Sequence, residues 1–381
     1  MRLPLALMVV FIHLNFRADA TAIHWLHPTA ADIMPISVSV LVGEVAAIAV
    51  PLFFMVSGYL FFLNTKWSLL TFARKLRRRV RSLLVPYLLF NTLAVIGLMA
   101  ATVLNGDTGI SEQAVADAIN RYLGNFRWLH VYWDAHITGY STNLLGWRKS
   151  VSYPMDVPLW FIRDLMVVVL MAPLWHWLLQ RMKGWGLLLL MILSLTGIWI
   201  PLAGFSVTSC FYFCIGAWAA PRTPSLLISL PRMAPMLTAV ALLLMAVDLA
   251  LKGTPLTTYA RFFFLLFAVI ATAAWFARLA KRPAGRFFPL LERHASPASF
   301  FVFAVHALPI AGANIVGVSG LRPVEWVKGM IWNPAHCAWA QVGEMLLTGV
   351  ITMALCLVFY FLFYFLCPSV LNFLTGRRPR A

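Results

Sequence analysis

Apolar runs bounded by charge, proline or glycine recur along the whole chain, and at a window of about 20 residues such runs read as membrane-crossing helices. They fall near residues 3–16, 38–62, 83–104, 157–177, 185–201, 206–220, 233–250, 259–277, 298–318 and 346–367. The pattern predicts an all-α polytopic bundle of about ten transmembrane helices, in one integral membrane domain covering residues 1–381. Runs 185–201 and 206–220 are short and split by Pro201 and Gly204, so a re-entrant hairpin competes with two spans there. The first run, Leu3 to Phe16, holds 14 residues, short enough to leave room for a start upstream of Met1. It has no small-x-small cleavage site before Arg17, so it is expected to stay in the mature chain.

Composition gives the same class: 61% of the 381 residues are hydrophobic and 11% charged, with a mean hydropathy of +0.83. The net charge of +17 is distributed unevenly. With the amino terminus in the cytoplasm, the inner segments collect 20 of the 30 basic residues and, of the 13 acidic ones, only Glu292. The positive-inside rule then predicts both termini on the cytoplasmic side. The stretch Arg74-Lys-Leu-Arg-Arg-Arg-Val-Arg81 is denser than orientation requires. Its guanidinium forks suit a polyphosphate such as an acyl-CoA, with Arg78, Arg79 and Arg81 as the donors. An orientation signal with attraction to anionic lipid is the competing reading. Nucleic acid is not expected as a partner, because the run hugs the membrane and lacks interleaved stacking aromatics.

Ionisable residues within apolar runs are costly and mark candidate chemistry. Arg2 and His13 stand eleven positions apart, which on a helix returns to within about 20° of the same face and separates them by roughly 16 Å. An imidazole in the outer half of the first helix suits proton transfer; a hydrogen bond to a neighbouring helix is the competing reading. Glu44 falls about six residues, roughly 9 Å, below the outer end of the second helix, level with His13. A carboxylate there can favour the imidazolium that forms when His13 acts as base, or merely face a polar vestibule. Arg163 and Asp164 are adjacent and point about 100° apart, so each is expected to pair with another helix or to line a wet cavity near substrate. His306 lies about 12 Å from the inner end of its helix, where it either bonds a neighbouring helix or meets an acyl thioester. Ser57 and Gly58 mark a close approach of helices. The odd set Cys210, Cys214, Cys337, Cys356 and Cys367 reads as apolar filling, and no histidine pair has convincing zinc spacing, so no metal is predicted. The outer segment from about 105 to 156 is too long for a simple connector and is expected to form a partly ordered cover over an acceptor site.

Six segments occur in one order along the chain: Arg2 with His13, Pro51-Leu-Phe-Phe-Met-Val-Ser-Gly-Tyr-Leu60, Arg79-Val-Arg-Ser-Leu-Leu-Val-Pro-Tyr87 with Asn91, Pro158-Leu-Trp-Phe161, Phe213-Cys-Ile-Gly216, and Ser299-Phe-Phe-Val-Phe-Ala-Val-His306. In this the chain resembles the membrane-bound acyltransferase 3 family, and within it the inner-membrane O-acetyltransferases of surface polysaccharides. The resemblance implies an enzyme that moves an acyl group, commonly acetyl from acetyl-CoA, onto a hydroxyl of an envelope polysaccharide or its lipid-linked precursor. It implies a bacterial inner-membrane location, with membrane lipid and polysaccharide-assembly proteins as further partners. His13, Arg2, Glu44 and His306 become the expected catalytic residues, and Trp160, Arg163 and Asp164 the expected substrate contacts.

Two departures bear on this. The acidic residue that commonly precedes the family's first-helix arginine by three positions would fall ahead of Met1, and the Trp-Ser-Leu-x-x-Glu pattern of some members is replaced by Trp160-Phe-Ile-Arg-Asp-Leu165. An appended esterase-like domain is not expected after the last run, and on that expectation a second transfer step would use another protein. A transporter or flippase for a glycolipid is the rival from another class, although inverted halves are not detectable. A non-catalytic partner in polysaccharide assembly is the third reading.

Overall fold

A computed structural model describes residues 2–14, 16, 23, 28–104, 112–125, 127–143, 145–280, 288–307 and 323–376. Helix α1 is Arg2–Ile12; α2 is Ala30–Phe62, interrupted by a π-helical segment at Ser39–Val45; α3 is Leu69–Ala100, with a second π segment at Val80–Leu84. Two short helices, α4 (Glu112–Leu123) and α5 (Arg127–Val131), lead into an antiparallel hairpin of β1 (His136–Thr142) and β2 (Arg148–Tyr153). Then follow α6 (Trp160–Leu170), α7 (Ala172–Met182), α8 (Gly184–Thr196), α9 (Val207–Ala219), α10 (Thr223–Ala250), α11 (Thr257–Leu279), α12 (Phe288–Val305), α13 (Pro323–Ile331), α14 (Ala338–Leu366) and α15 (Pro368–Leu374).

Among the described residues five helices are long and apolar enough to cross a membrane: α2, α3, α11, α14 and the Ile228–Ala250 part of α10. The pair α6 and α7, bent by 58°, makes a sixth if counted as one span. Expected spans 3–16 and 185–201 fall on the shorter helices α1 and α8. Run 206–220 falls on α9, which has only 13 residues, and the second half of 298–318 lies outside the described residues. Length and apolarity thus support fewer spans than the ten expected. Helix α9 shows why a short helix suffices: Cys210, Phe211, Tyr212, Phe213 and Cys214 are all buried by neighbouring helices, so the bilayer does not set its length. The bend between α6 and α7 follows from Pro173, which cannot continue the ladder. The indole of Trp175 donates to the Val168 carbonyl at 2.9 Å across this bend.

The centre of the bundle is a crossing of α2 and α9 through glycine. A Cβ on Gly58 would meet the Phe213 carbonyl oxygen at 2.0 Å, and one on Gly216 would meet the Met55 carbonyl oxygen at 1.8 Å. Each motif glycine therefore receives the other helix's backbone, as small residues do where membrane helices pack closely. Helix α1 meets α14 in the same way, with the Phe11 ring against Gly349. The short helix α15 folds back on the π segment of α3, where Gly376, at φ +63°, lies against the backbone of Arg81 and Ser82.

The hairpin is an addition to the expected all-α class. Its turn is organised by Asn143, whose Oδ1 accepts from the backbone N–H groups of Leu145 at 3.0 Å and Trp147 at 2.9 Å. Gly146 supplies a left-handed residue at φ +78°.

Candidate active site

Segment 127–157 is tied to the bundle by side chains on α3 and α6. Tyr87 donates its hydroxyl to the Tyr132 carbonyl, and Thr92 bonds the Tyr132 hydroxyl at 2.8 Å. Asn91, fully buried, accepts the Asp156 backbone N–H at 2.9 Å and donates to the Tyr87 carbonyl at 2.9 Å. Tyr87 and Asn91 stand six and ten residues beyond Arg81, or about 9 and 15 Å along the helix. The cover therefore dips well into the bundle.

Arg163 completes the anchoring. Its Nη1 donates to the Trp133 carbonyl at 2.5 Å and the Ser152 carbonyl at 3.2 Å. Its Nε and Nη2 reach Asp164 Oδ1 at 3.0 and 2.9 Å. The expectation that each would pair with another helix is corrected for Asp164: the long arginine side chain curls back to its neighbour's carboxylate despite the angular offset. Both residues are buried, and Arg163 bonds the cover through the Trp133 and Ser152 carbonyls. The Asp156 carboxyl is also fully buried, with neither oxygen bonded among the described residues. Burial raises its pKa well above the usual carboxylate range.

Beneath the cover lies a cavity of about 1290 Å³. Its lining includes His13, Leu98, Tyr122, His130, Asp134, Met155, Trp160, Ala307 and Glu325. Helix α1 ends at Ile12, one residue before His13, whose N–H closes a final turn on the Val10 carbonyl at 3.0 Å. The expected helix through residue 16 is thus shorter, and it releases the imidazole at its end, half-buried and facing the cavity. Its ring touches that of His306, with centroids 5.1 Å apart and planes tilted by 56°. His306 is fully buried, and its Nδ1 donates to the Val302 carbonyl at 3.0 Å. That bond fixes the tautomer and leaves Nε2, buried and unbonded among the described residues, with its lone pair. Phe303 and Phe161 wall this pair off from the α2 side.

The remaining predicted residues fall elsewhere. Glu44 does not hold His13: its Oε1 accepts from Lys252 at 2.7 Å and Arg261 at 3.0 Å. Lys252 also bonds Asp248 at 2.8 Å, and Thr257 donates to Asp248 at 2.8 Å. The π segment of α2 carries this carboxylate toward the α10–α11 turn, where the two cations outcompete a neutral imidazole. Lys252 and Arg261 stand on the outer side of the predicted topology with eight other basic residues, so their position did not mark them. Arg2 begins α1, and its side chain lies outside the described residues. Arg78 and Arg81 are exposed and Arg79 half-buried, on the part of α3 that precedes the tethers. The cavity also holds a pair that its loop position did not single out, His130 Nδ1 with Asp134 Oδ1 at 2.6 Å.

The model of an acyltransferase domain family matches residues 1–361, most of the chain. The protein belongs to the acyltransferase 3 family. No curated protein and no solved structure matches it. For an acyltransferase of the membrane, the cavity with its paired imidazoles is the arrangement that can take a proton from a hydroxyl: one ring is reachable, and the other is buried behind it with a fixed tautomer.

Proposed function

We propose that this acyltransferase takes an acetyl group from cytoplasmic acetyl-CoA and delivers it to a hydroxyl of an envelope polysaccharide, or of its lipid-linked precursor, at the outer side of a bacterial inner membrane. The observation that carries the reading is the placing of His13 on a cavity of about 1290 Å³, in contact with His306. In this reading His13 is the general base. His306 backs it, its Nδ1–H held by Val302 so that the ring cannot turn. Trp160, on the cavity wall, packs against the acceptor sugar.

Geometry along α3 supports a donor that enters from the opposite side. Leu98, the α3 residue on the cavity, stands about 25 Å beyond Arg81 by helical rise, and Met155 on the same cavity adjoins Asp156, whose backbone Asn91 holds about 15 Å beyond Arg81. With the CoA phosphates on Arg78, Arg79 and Arg81, the thioester has only part of the bilayer to cross before it meets the cavity. Ten helices with both termini cytoplasmic is the topology this reading uses. Glu44, held by Lys252 and Arg261, then serves the fold of the outer end rather than the proton transfer, and Arg163 and Asp164 position the cover.

The test is whether purified protein releases the thiol of CoA from acetyl-CoA, with and without acceptor glycan. Thiol release that depends on His13 supports the reading. Complete indifference to acetyl-CoA, together with movement of a glycolipid across reconstituted membranes, would favour a flippase instead.

A further inference from the structure

A second, smaller cavity of about 250 Å³ lies between the tip of the hairpin and the loop that joins α8 to α9. Its lining has the chemistry of a sugar site. Ser141, Thr142 and Thr208 line it together with Trp147, Trp199 and Lys149. The Trp147 ring is about half exposed, at 48%. The indole N–H of Trp199 is buried with no acceptor among the described residues. Lys149 spends one donor on the Phe205 carbonyl, at 2.8 Å. An ammonium has three donors. Hydroxyl donors and acceptors beside an indole face match a pyranose, and an ammonium beside them favours a carboxylate or sulfate substituent on it.

The hairpin links this cavity to the first. Strand β1 places His136 and Thr138 on the large cavity and Ser141 and Thr142 on the small one. Thr138 and Ser141 are three residues apart, about 10 Å along a strand, so one linear glycan can occupy both. We infer that the small cavity is a second acceptor subsite, which takes an acidic sugar residue of the same glycan whose hydroxyl is presented to His13. This rests on the reading of the large cavity as an acceptor site. It makes the enzyme one that selects extended acidic glycans over single sugars.

The test is retention of the whole protein, in phosphatidylcholine nanodiscs, on an array of acidic and neutral oligosaccharides of one to six residues. Wild-type protein is expected to retain acidic oligomers and to release monosaccharides and neutral chains. Lys149→Met should lower that retention by about tenfold, the effect of one lost charge-assisted hydrogen bond. Lys149→Arg should keep the preference for acidic chains, and Trp199→Phe should weaken binding with the aromatic face intact. Equal retention of acidic and neutral chains, an array on which wild type retains nothing, or retention unaltered in both Lys149→Met and Trp199→Phe would overturn the subsite. So would retention that appears only when phosphatidylglycerol is in the nanodisc, because the Lys149 ligand would then be a lipid headgroup. Acetyl-CoA consumption, measured on the same preparation, separates the two failures: its absence removes the transfer reaction but leaves glycan retention standing on its own.

Discussion

His13 and His306 come from opposite ends of the chain, yet their rings touch, with centroids 5.1 Å apart. One is half-buried at the end of α1 and the other fully buried at the end of α12. A base that must meet substrate has to be the reachable one. His13→Ala is therefore expected to lower turnover by about 100- to 10,000-fold, the range for a lost general base, with membrane insertion and acetyl-CoA binding unchanged. Steady-state kinetics beside a binding titration check this, and full activity in the variant would remove His13 from the mechanism.

The Gly58 and Gly216 crossing leads to a different expectation. Either substitution to alanine puts a methyl group inside the contact distance of a backbone carbonyl, at 2.0 or 1.8 Å, and neither backbone can yield without parting α2 from α9. Gly58→Ala and Gly216→Ala should each abolish recovery of monodisperse protein from the membrane. Gly343→Ala, with nothing within 4 Å of its added methyl, should be recovered like wild type. Size-exclusion profiles of the three variants decide the matter.

Much of the bundle was legible because hydrophobic period and length follow directly from the bilayer. Gly58 and the C-terminal ends of α2, α10, α11 and α14 are of this kind, whereas α2, α3, α10 and α14 begin 8 to 14 residues before the expected runs. The hairpin was not legible: Ile137, Tyr140 and Trp147 lie exposed in so short a segment that no buried alternation marks it. At the site, His13, His306 and Trp160 were marked as intramembrane or motif residues, and the structure puts His13 and Trp160 on one cavity with His306 behind. The Glu44 partners were not legible, since Lys252 and Arg261 are more than 200 residues away in sequence, with separations of 208 and 217. Nor was the Arg163–Asp164 pair, because angular spacing on a helix describes Cβ directions and not the reach of a flexible guanidinium.

That pair gives a stability test. Removing the carboxylate in Asp164→Ala leaves the Arg163 guanidinium buried without its counter-charge, a change that typically costs about 3–5 kcal/mol. The melting temperature in detergent should fall sharply, and proteolysis should begin in segment 127–157, which Arg163 holds through Trp133 and Ser152. An unchanged melting profile would mean that the cover is held by Tyr87 and Asn91 alone.

Asp156 predicts the dependence on pH. Its folded-state pKa is raised by burial, so the unfolded chain loses this proton first as pH rises. Stability should therefore be greatest below the ordinary aspartate value near about 4 and should fall as pH climbs from there toward the raised folded value. Asp156→Asn, which keeps the shape and has no proton to lose, should flatten that slope. Thermal unfolding of the two proteins at pH 5 and pH 8 measures it; parallel slopes would assign the dependence to other groups.

The basic run on α3 carries the last expectation. If Arg78, Arg79 and Arg81 hold CoA phosphates through directional forks, triple substitution to lysine preserves the charge that orients the chain and removes the paired donors. Acetyl-CoA affinity should fall while topology survives, as read by a cysteine near Leu76 shielded from an impermeant thiol reagent and one near Asn143 labelled by it. Wild-type affinity should also weaken with added salt, since Arg78 and Arg81 are exposed and such charges are screened within about 10 Å at 0.1 M. The same helix opens with Leu69 and Leu70, 74% and 71% exposed, so its first turn is suited to lying in lipid. Unchanged affinity in the triple variant would make the whole run a membrane anchor and move the donor site to Arg278 and the basic residues that follow it.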